Sequence, residues 1–125
     1  MKTEQQKFID KATISYCGIT NRDLWNGQNV HKYSLHLGQK NFSWYCGLGI
    51  NKRPTVQQIL GDLARDWRDT RDCGDLDNFL VEFGYNDSIE NMKRGKRIFA
   101  QIINNNDRLR KLGFDLPDLE QFIQD

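Results

Sequence analysis

A chain of 125 residues with 18 basic and 17 acidic side chains carries a formal charge of +1, so no global field draws it to nucleic acid or a membrane, and electrostatic recognition must come from local patches. That length fits one domain, 1–125, and folding at this size buries roughly two-thirds of the unfolded chain's surface, enough for a core without staples. Three cysteines, Cys17, Cys46 and Cys73, are an odd count with no CxxC or Cys/His ligand spacing, which suits partly buried thiols in a reducing compartment better than a disulfide framework.

The chain opens with Met-Lys-Thr-Glu-Gln-Gln-Lys, without the apolar run of a signal peptide, and no stretch of ~18 apolar residues follows. The expectation is a cytoplasmic protein with no membrane partner. Phe8, Ile9 and Ala12 among polar residues predict a short amphipathic helix over 3–12. Ile14 and Tyr16 then alternate with Thr13, Ser15 and Cys17, the period of a half-buried strand over 13–17. Residues 18–29, rich in Gly and Asn around Leu24 and Trp25, read as a long loop of the kind that often carries function. Trp25 either anchors that loop or stays exposed for a partner; the solubility cost of an exposed indole favours anchoring.

From Val30 the pattern sharpens. Tyr33, Leu35 and Leu37 alternate with polar residues, Gly38–Asn41 supplies turn chemistry, and Phe42, Trp44 and Cys46 alternate again. This predicts a β-hairpin over 30–47 with one apolar face and strands near 30–37 and 42–48. Gly47-Leu48-Gly49-Ile50-Asn51 matches neither phosphate-loop fingerprint and reads as a strand exit. His31 and His36, five apart on a strand, point to opposite faces and do not share a metal.

Pro54 at a first helical position opens the next helix, whose stripe is Val56, Ile59, Leu60, Leu63, Ala64 and Trp67. It runs into an acidic stretch, where Asp62, Asp66, Asp69, Asp72, Asp75 and Asp77 outnumber Arg65, Arg68 and Arg71. Such a stretch either imitates nucleic-acid phosphates for a protein partner or is a solvated face with weak i,i+3 and i,i+4 pairs. Leu76, Phe79, Leu80 and Phe83 predict a short helix stopped by Gly84, and Asp87-Ser88-Ile89-Glu90 matches a capping box led by Asp87. The helix that follows, 88–112, turns Ile89, Met92, Ile98, Phe99, Ile102, Ile103 and Leu109 inward, and Lys93, Arg94, Lys96, Arg97, Arg108, Arg110 and Lys111 outward. Gly95 inside it costs about 1 kcal/mol relative to Ala, which predicts close packing or a kink. Gly113 ends it, and a last short helix, 118–123, brings Leu119, Phe122 and Ile123 over the core.

The fold class is therefore α+β: a small antiparallel sheet of about three strands packed against a helical C-terminal half. No catalytic constellation, metal set or cofactor motif emerges. A Cys–His pair formed in space, Cys46 with His31 or His36, is the one enzymatic arrangement the residues leave open. The candidate partner-binding residues are Lys93, Arg94, Lys96 and Arg97 on the basic helix face, Asp66, Asp69 and Asp72 on the acidic one, and Trp25 in the loop. Signatures of RRM, KH, zinc-finger or helix-turn-helix modules are missing.

Four segments together resemble a known family: the His31–Leu37 strand, Phe42-Ser43-Trp44-Tyr45, the Pro54-Thr55 helix start through Leu63, and the Glu82-Phe83-Gly84-Tyr85-Asn86-Asp87-Ser88 corner leading to Arg108-Leu109-Arg110. The family comprises small orphan proteins of bacteriophages, prophages and plasmids, and the resemblance covers about residues 30–112. The chain departs from it in the corner, where members often carry one more residue, and in the Arg-Asp run after Trp67. The resemblance implies residence on a mobile element and no catalytic residues. Through that habit it implies a non-enzymatic accessory protein that antagonises host defence, an anti-CRISPR inhibitor of a Cas effector being the leading expectation. The alternative is a small nucleic-acid-binding protein using the basic face of helix 88–112.

Overall fold

The computed structural model describes residues 3–22, 28–50 and 52–124. Three strands, β1 (Thr13–Arg22), β2 (Gln28–Leu37) and β3 (Lys40–Gly47), form an antiparallel meander with β2 in the centre. Around it run α1 (Glu4–Lys11), α2 (Val56–Cys73), α3 (Leu76–Glu82), α4 (Ile89–Lys111) and α5 (Leu116–Leu119), with a closing 3-10 turn, Glu120–Phe122. The class is α+β, as the alternating first half and the 3.6-residue stripes of the second half require.

Register explains which face of the sheet is covered. Ile14 lies opposite Leu35, Leu35 opposite Phe42 and Tyr33 opposite Trp44, so these side chains share one face. Leu35, Leu37 and Phe42 are fully buried there against Ile59, Leu60, Leu63 and Ala64 of α2, Leu109 of α4, and Phe114, Leu116 and Leu119. Ser15, Ser34, His36, Asn41 and Ser43 occupy the other face. Arg108 of α4 reaches the β3 edge, donating to the Asn41 carbonyl with its guanidinium 4.5 Å from the Phe42 ring centre.

Several expectations move by a few residues, each for a local reason. The stretch 18–29 is not one long loop: β1 continues to Arg22 and β2 already begins at Gln28. A bulge between Tyr16 and Gly18 absorbs one residue, after which Asn21 and Asn29 face each other and their side chains bond at 3.2 Å. Trp25 lies outside the described residues. The hairpin turn is the two residues Gly38 and Gln39, so β3 resumes at Lys40 rather than 42. Pro54 precedes α2 instead of opening it; Thr55 is the cap and forms a reciprocal box with Gln58. On α4 the cap is Ser88, which accepts from the Asn91 backbone, while Asp87 holds the Asn91 side chain at 2.6 Å. The last helix starts at Leu116, earlier than expected, because Asp115 and Asp118 cap it reciprocally. Two residues expected inside are outside: Ile89 is 75% exposed at the first turn of α4, and Phe83 is 44% exposed at the end of α3.

Two glycines set the helix spacing. A Cβ on Gly61 of α2 would overlap the carbonyl oxygen of Phe122, so α2 and the closing turn meet backbone to backbone. A Cβ on Gly95 of α4 would overlap the Leu80 side chain and lie 2.8 Å from Cβ of Tyr85; the close packing expected at that position is what occurs. Tyr85 is delivered there by the turn after α3, where Gly84 (φ +76°) donates to Val81 O and Tyr85 donates to Leu80 O at 2.7 Å. Gly61→Ala and Gly95→Ala are each expected to destabilise the fold by about 1–3 kcal/mol, although Ala at an open helix position gains ~1 kcal/mol. Urea titration measures both, and unchanged or raised stability would mean that the contacts give way freely.

Candidate functional site

Three helices and one strand edge leave a cleft of about 580 Å³ between them. Ser43, Trp44 and Tyr45 of β3 form one side, and Asp62, Arg65, Asp66, Asp69 and Thr70 of α2 form another. Phe79, Phe83 and Tyr85 from α3 and its turn, with Ile98, Gln101, Ile102 and Asn105 of α4, close the rest. The spacing 62–66–69 places three carboxylates on one side of α2, next to the stripe that packs on the sheet. The aromatic wall is continuous: Phe79 lies 4.9 Å from Phe83 and is stacked on Tyr85 at 6.1 Å, ring centre to ring centre.

The three carboxylates have different environments. Asp62 is fully engaged, accepting from the Trp44 indole N–H at 2.8 Å and pairing with Arg65 at 3.3 Å through its other oxygen. Asp69 pairs with Arg68 at 3.1 Å. Asp66, between them, has no hydrogen-bond donor among the described residues. Asp66 is exposed at the cleft, although enough protein atoms lie around its carboxyl to disfavour the charged form. That crowding pushes its pKa from 3.8 up to about 6, the Arg65 charge opposing the shift and the Asp62 and Asp69 charges adding to it. Burial, and then the Asp66 charge, raises the Tyr85 phenol in turn. One turn beyond Asp66, Thr70 is 3% exposed and its hydroxyl has no hydrogen-bond partner among the described residues.

The acidic side continues into a smaller groove lined by Asp69, Asp72, Cys73, Glu82 and Phe83. Burial and the neighbouring Glu82, Asp69 and Asp72 charges raise the Cys73 thiol, which keeps it protonated. Of the residues singled out from the sequence, Asp66 and Asp69 thus share the cleft, and Asp72, paired with Arg71 at 3.2 Å, lies at its end. Lys93 and Lys96 are exposed on α4, turned away from the cleft-lining positions 98, 101, 102 and 105, and Arg97, also exposed, lies one turn before Gln101. Arg94 is half-buried and bonds Glu90 and Asn91, and Arg108 is committed to β3. The basic face expected from the sequence is therefore narrower than seven residues.

Periodicity marks a polar side of the sheet but gives no hint of the bonding on it. There Ser15 Oγ lies 3.0 Å from His36 Nε2, and His36 Nδ1 bonds the Asn41 side chain, so one imidazole spans all three strands. The order resembles a nucleophile–base–orienter relay, but it sits on an open sheet face, outside both clefts. Its evident role is a clasp. His31 does point to the opposite face, where its Nδ1 bonds the Tyr16 hydroxyl at 2.8 Å. Cys46 sits across from His31 in the register, and burial raises its thiol pKa, the opposite of activation. No three His, Cys, Asp or Glu side chains converge as metal ligands among the described residues, and no described helix is long and apolar enough to cross a membrane.

Comparison with protein-family models, curated proteins and solved structures finds no match to this chain.

Two outcomes test the cleft's description. Thr70→Val removes an unpaired buried hydroxyl at nearly constant shape and is expected to stabilise the fold by about 1 kcal/mol in urea titration; a loss would mean that the hydroxyl is satisfied. Because the folded state holds the Asp66 proton more tightly, that group's contribution is fullest below about pH 4 and is lost as pH rises through about 6. Asp66→Asn should therefore melt above the parent at about pH 7.5 and together with it near pH 4, and a constant offset across pH would contradict this.

Proposed function

We propose that this chain is a non-enzymatic binding protein of a mobile element that docks on and inhibits a host defence complex, with a CRISPR–Cas effector as the target class. The observation that carries the binding half is the segregation of charge. Asp62, Asp66, Asp69, Asp72 and Glu82 gather along one side of the helical layer and outnumber Arg65, Arg68 and Arg71, which pair among them, while Lys93, Lys96 and Arg97 are exposed on α4. In a chain of net charge +1, such separation gives two local fields where the whole molecule has almost none. An effector holds its heteroduplex in a positively charged channel, and a carboxylate-lined helix is the complementary surface for such a groove. The target class itself rests on the resemblance over residues 30–112 to proteins of phages, prophages and plasmids.

The exposed cations Lys93, Lys96 and Arg97 favour a second reading, direct contact with nucleic-acid phosphates. The two separate experimentally. Expression in CRISPR-immune cells should restore phage plaquing, and the protein should co-purify with the effector. Asp66→Asn combined with Asp69→Asn should weaken that capture, whereas Lys93→Ala with Lys96→Ala should not. Failure to restore plaquing together with failure to join any effector sinks the inhibitor reading. Binding of DNA or RNA by the isolated protein, with a log–log salt slope near −3 for about three phosphate contacts, would replace it with the second.

A further inference from the structure

We propose that β1 is a self-association edge: two copies of the chain join β1 to β1 in antiparallel, about a two-fold axis between Cys17 and Gly18, into one sheet with three strands from each. Among the described residues β2 is the only strand paired with β1, so the outer main-chain groups of this ten-residue strand have no ladder partner there. The other edge of the sheet is defended. β3 begins with Lys40, its Asn41 carbonyl accepts from Arg108 of α4, and its Trp44 is tied to Asp62. β1 carries no Pro, Lys, Asp or Glu, and it shows solvent Tyr16, 48% exposed, and Ile19, 61% exposed. An edge strand with neither charge nor cover is a template for another strand.

The bulge selects a second copy as the partner. Antiparallel self-pairing over the whole strand sets Thr13 against Arg22, Ile14 against Asn21, Ser15 against Thr20 and Tyr16 against Ile19. In a regular strand each of these pairs would join residues from opposite faces, since odd meets even. The shift between Tyr16 and Gly18 removes that conflict. Ile14, Tyr16, Ile19 and Asn21 lie opposite Leu35, Tyr33, His31 and Asn29, alternate residues of β2, whose own pairing with β3 is regular. These four therefore share one face and one hydrogen-bonding direction, and the register mates them only with each other. A bulge commonly turns an edge away from partners, but here the bulges of both copies fall on the axis and bring the two halves into match. Each Tyr16 then meets the Ile19 of the other copy, an aromatic and β-branched pair made twice, which covers both exposed apolar side chains. Arg22, the strand's charged residue, is placed opposite the neutral Thr13, so no like charges oppose each other. Four mated pairs exchanging both main-chain bonds give about eight hydrogen bonds, near the roughly ten of a specific interface. One strand pair buries less than the standard interface, which makes the dimer a weak one. Arg53, which donates to the Ile14 carbonyl, stands at the ends of this pairing and not at its centre. Self-association of this kind is independent of the target class proposed above.

The experiment is sedimentation velocity of the intact chain from micromolar to millimolar concentration, with a reductant that keeps the exposed Cys17 from cross-linking the copies. Expected is a reversible rise from the 14.7 kDa monomer towards twice that mass. Ile19→Lys alters a side chain already exposed in the monomer and is expected to fold. It should move the association midpoint at least about tenfold higher, because lysines replace the apolar pairs on either side of the axis. Ile89→Lys, at a more exposed apolar residue on α4, should leave the midpoint where it is. Isotope-filtered NOE spectra of mixed labelled and unlabelled chain read the register, with contacts expected between the Tyr16 ring and the Ile19 methyls of different molecules. A dimer unmoved by Ile19→Lys, or one whose intermolecular contacts lie on another surface, would overturn the proposal. A monomer at every concentration would also overturn it, and would leave the edge to an extended segment of a different protein.

Discussion

The hydrogen bond from the Trp44 indole to Asp62 fixes where the helical layer sits on the sheet. Trp44 is on β3, an edge strand, and Asp62 is in the second turn of α2, so this 2.8 Å contact joins the sheet's edge to the central helix of the fold. The elements α3, α4, α5 and the closing turn all pack on α2. Gly61, the preceding residue, is the point where the closing turn meets it backbone to backbone. Ile59, Leu60, Leu63 and Ala64 cover Leu35, Leu37 and Phe42. With α2 tied in that orientation, its next residues on the same side, Asp66, Asp69 and Thr70, overhang the space that α3 and α4 leave open. The cleft is a consequence of that anchoring, and of the Gly95–Tyr85 contact that brings α4 against the turn after α3.

Much of this architecture is legible in the residues. Alternation on both sides of Gly38 defines the hairpin and its buried face, the stripe from Val56 to Trp67 defines α2, and Gly84 and Gly113 mark real helix ends. What misleads is composition standing in for geometry. The Gly- and Asn-rich segment after Tyr16 reads as loop, yet a single bulge restores the pairing and asparagines sit opposite each other on the strands. Asp87 and Ser88 are both good caps, and only the backbone's entry angle decides for Ser88. Ile89 satisfies the helical period but lies in the first turn, beyond the neighbouring helices, so it stays outside.

The site was half legible for a similar reason. The acidic run was visible, and Asp66 and Asp69 do share a cleft. Periodicity along one helix, however, cannot say which neighbours lie across from it. Asp62 separates itself from the other aspartates only through a strand eighteen residues earlier in the chain. Thr70 carries no signal at all, because a threonine in a polar stretch of helix is ordinary until its hydroxyl is found buried without a partner. The basic face is narrower than its residues suggest, because Arg94 and Arg108 are engaged in contacts within the fold. What remains is an acidic, aromatic-lined recess and a short exposed cationic patch on α4.

The central claim is that the recess under α2 is a crowded, negatively charged environment with Asp66 at its centre. Carbon-13 NMR titration of the Asp66 side-chain carboxyl tests this most directly, since it reads the group itself. A midpoint near pH 6 is expected, displaced upward from the ordinary 3.8 by burial and by the Asp62 and Asp69 charges, against the opposing Arg65 charge. A midpoint near 4 would place Asp66 on an open, solvated helix face and contradict the account.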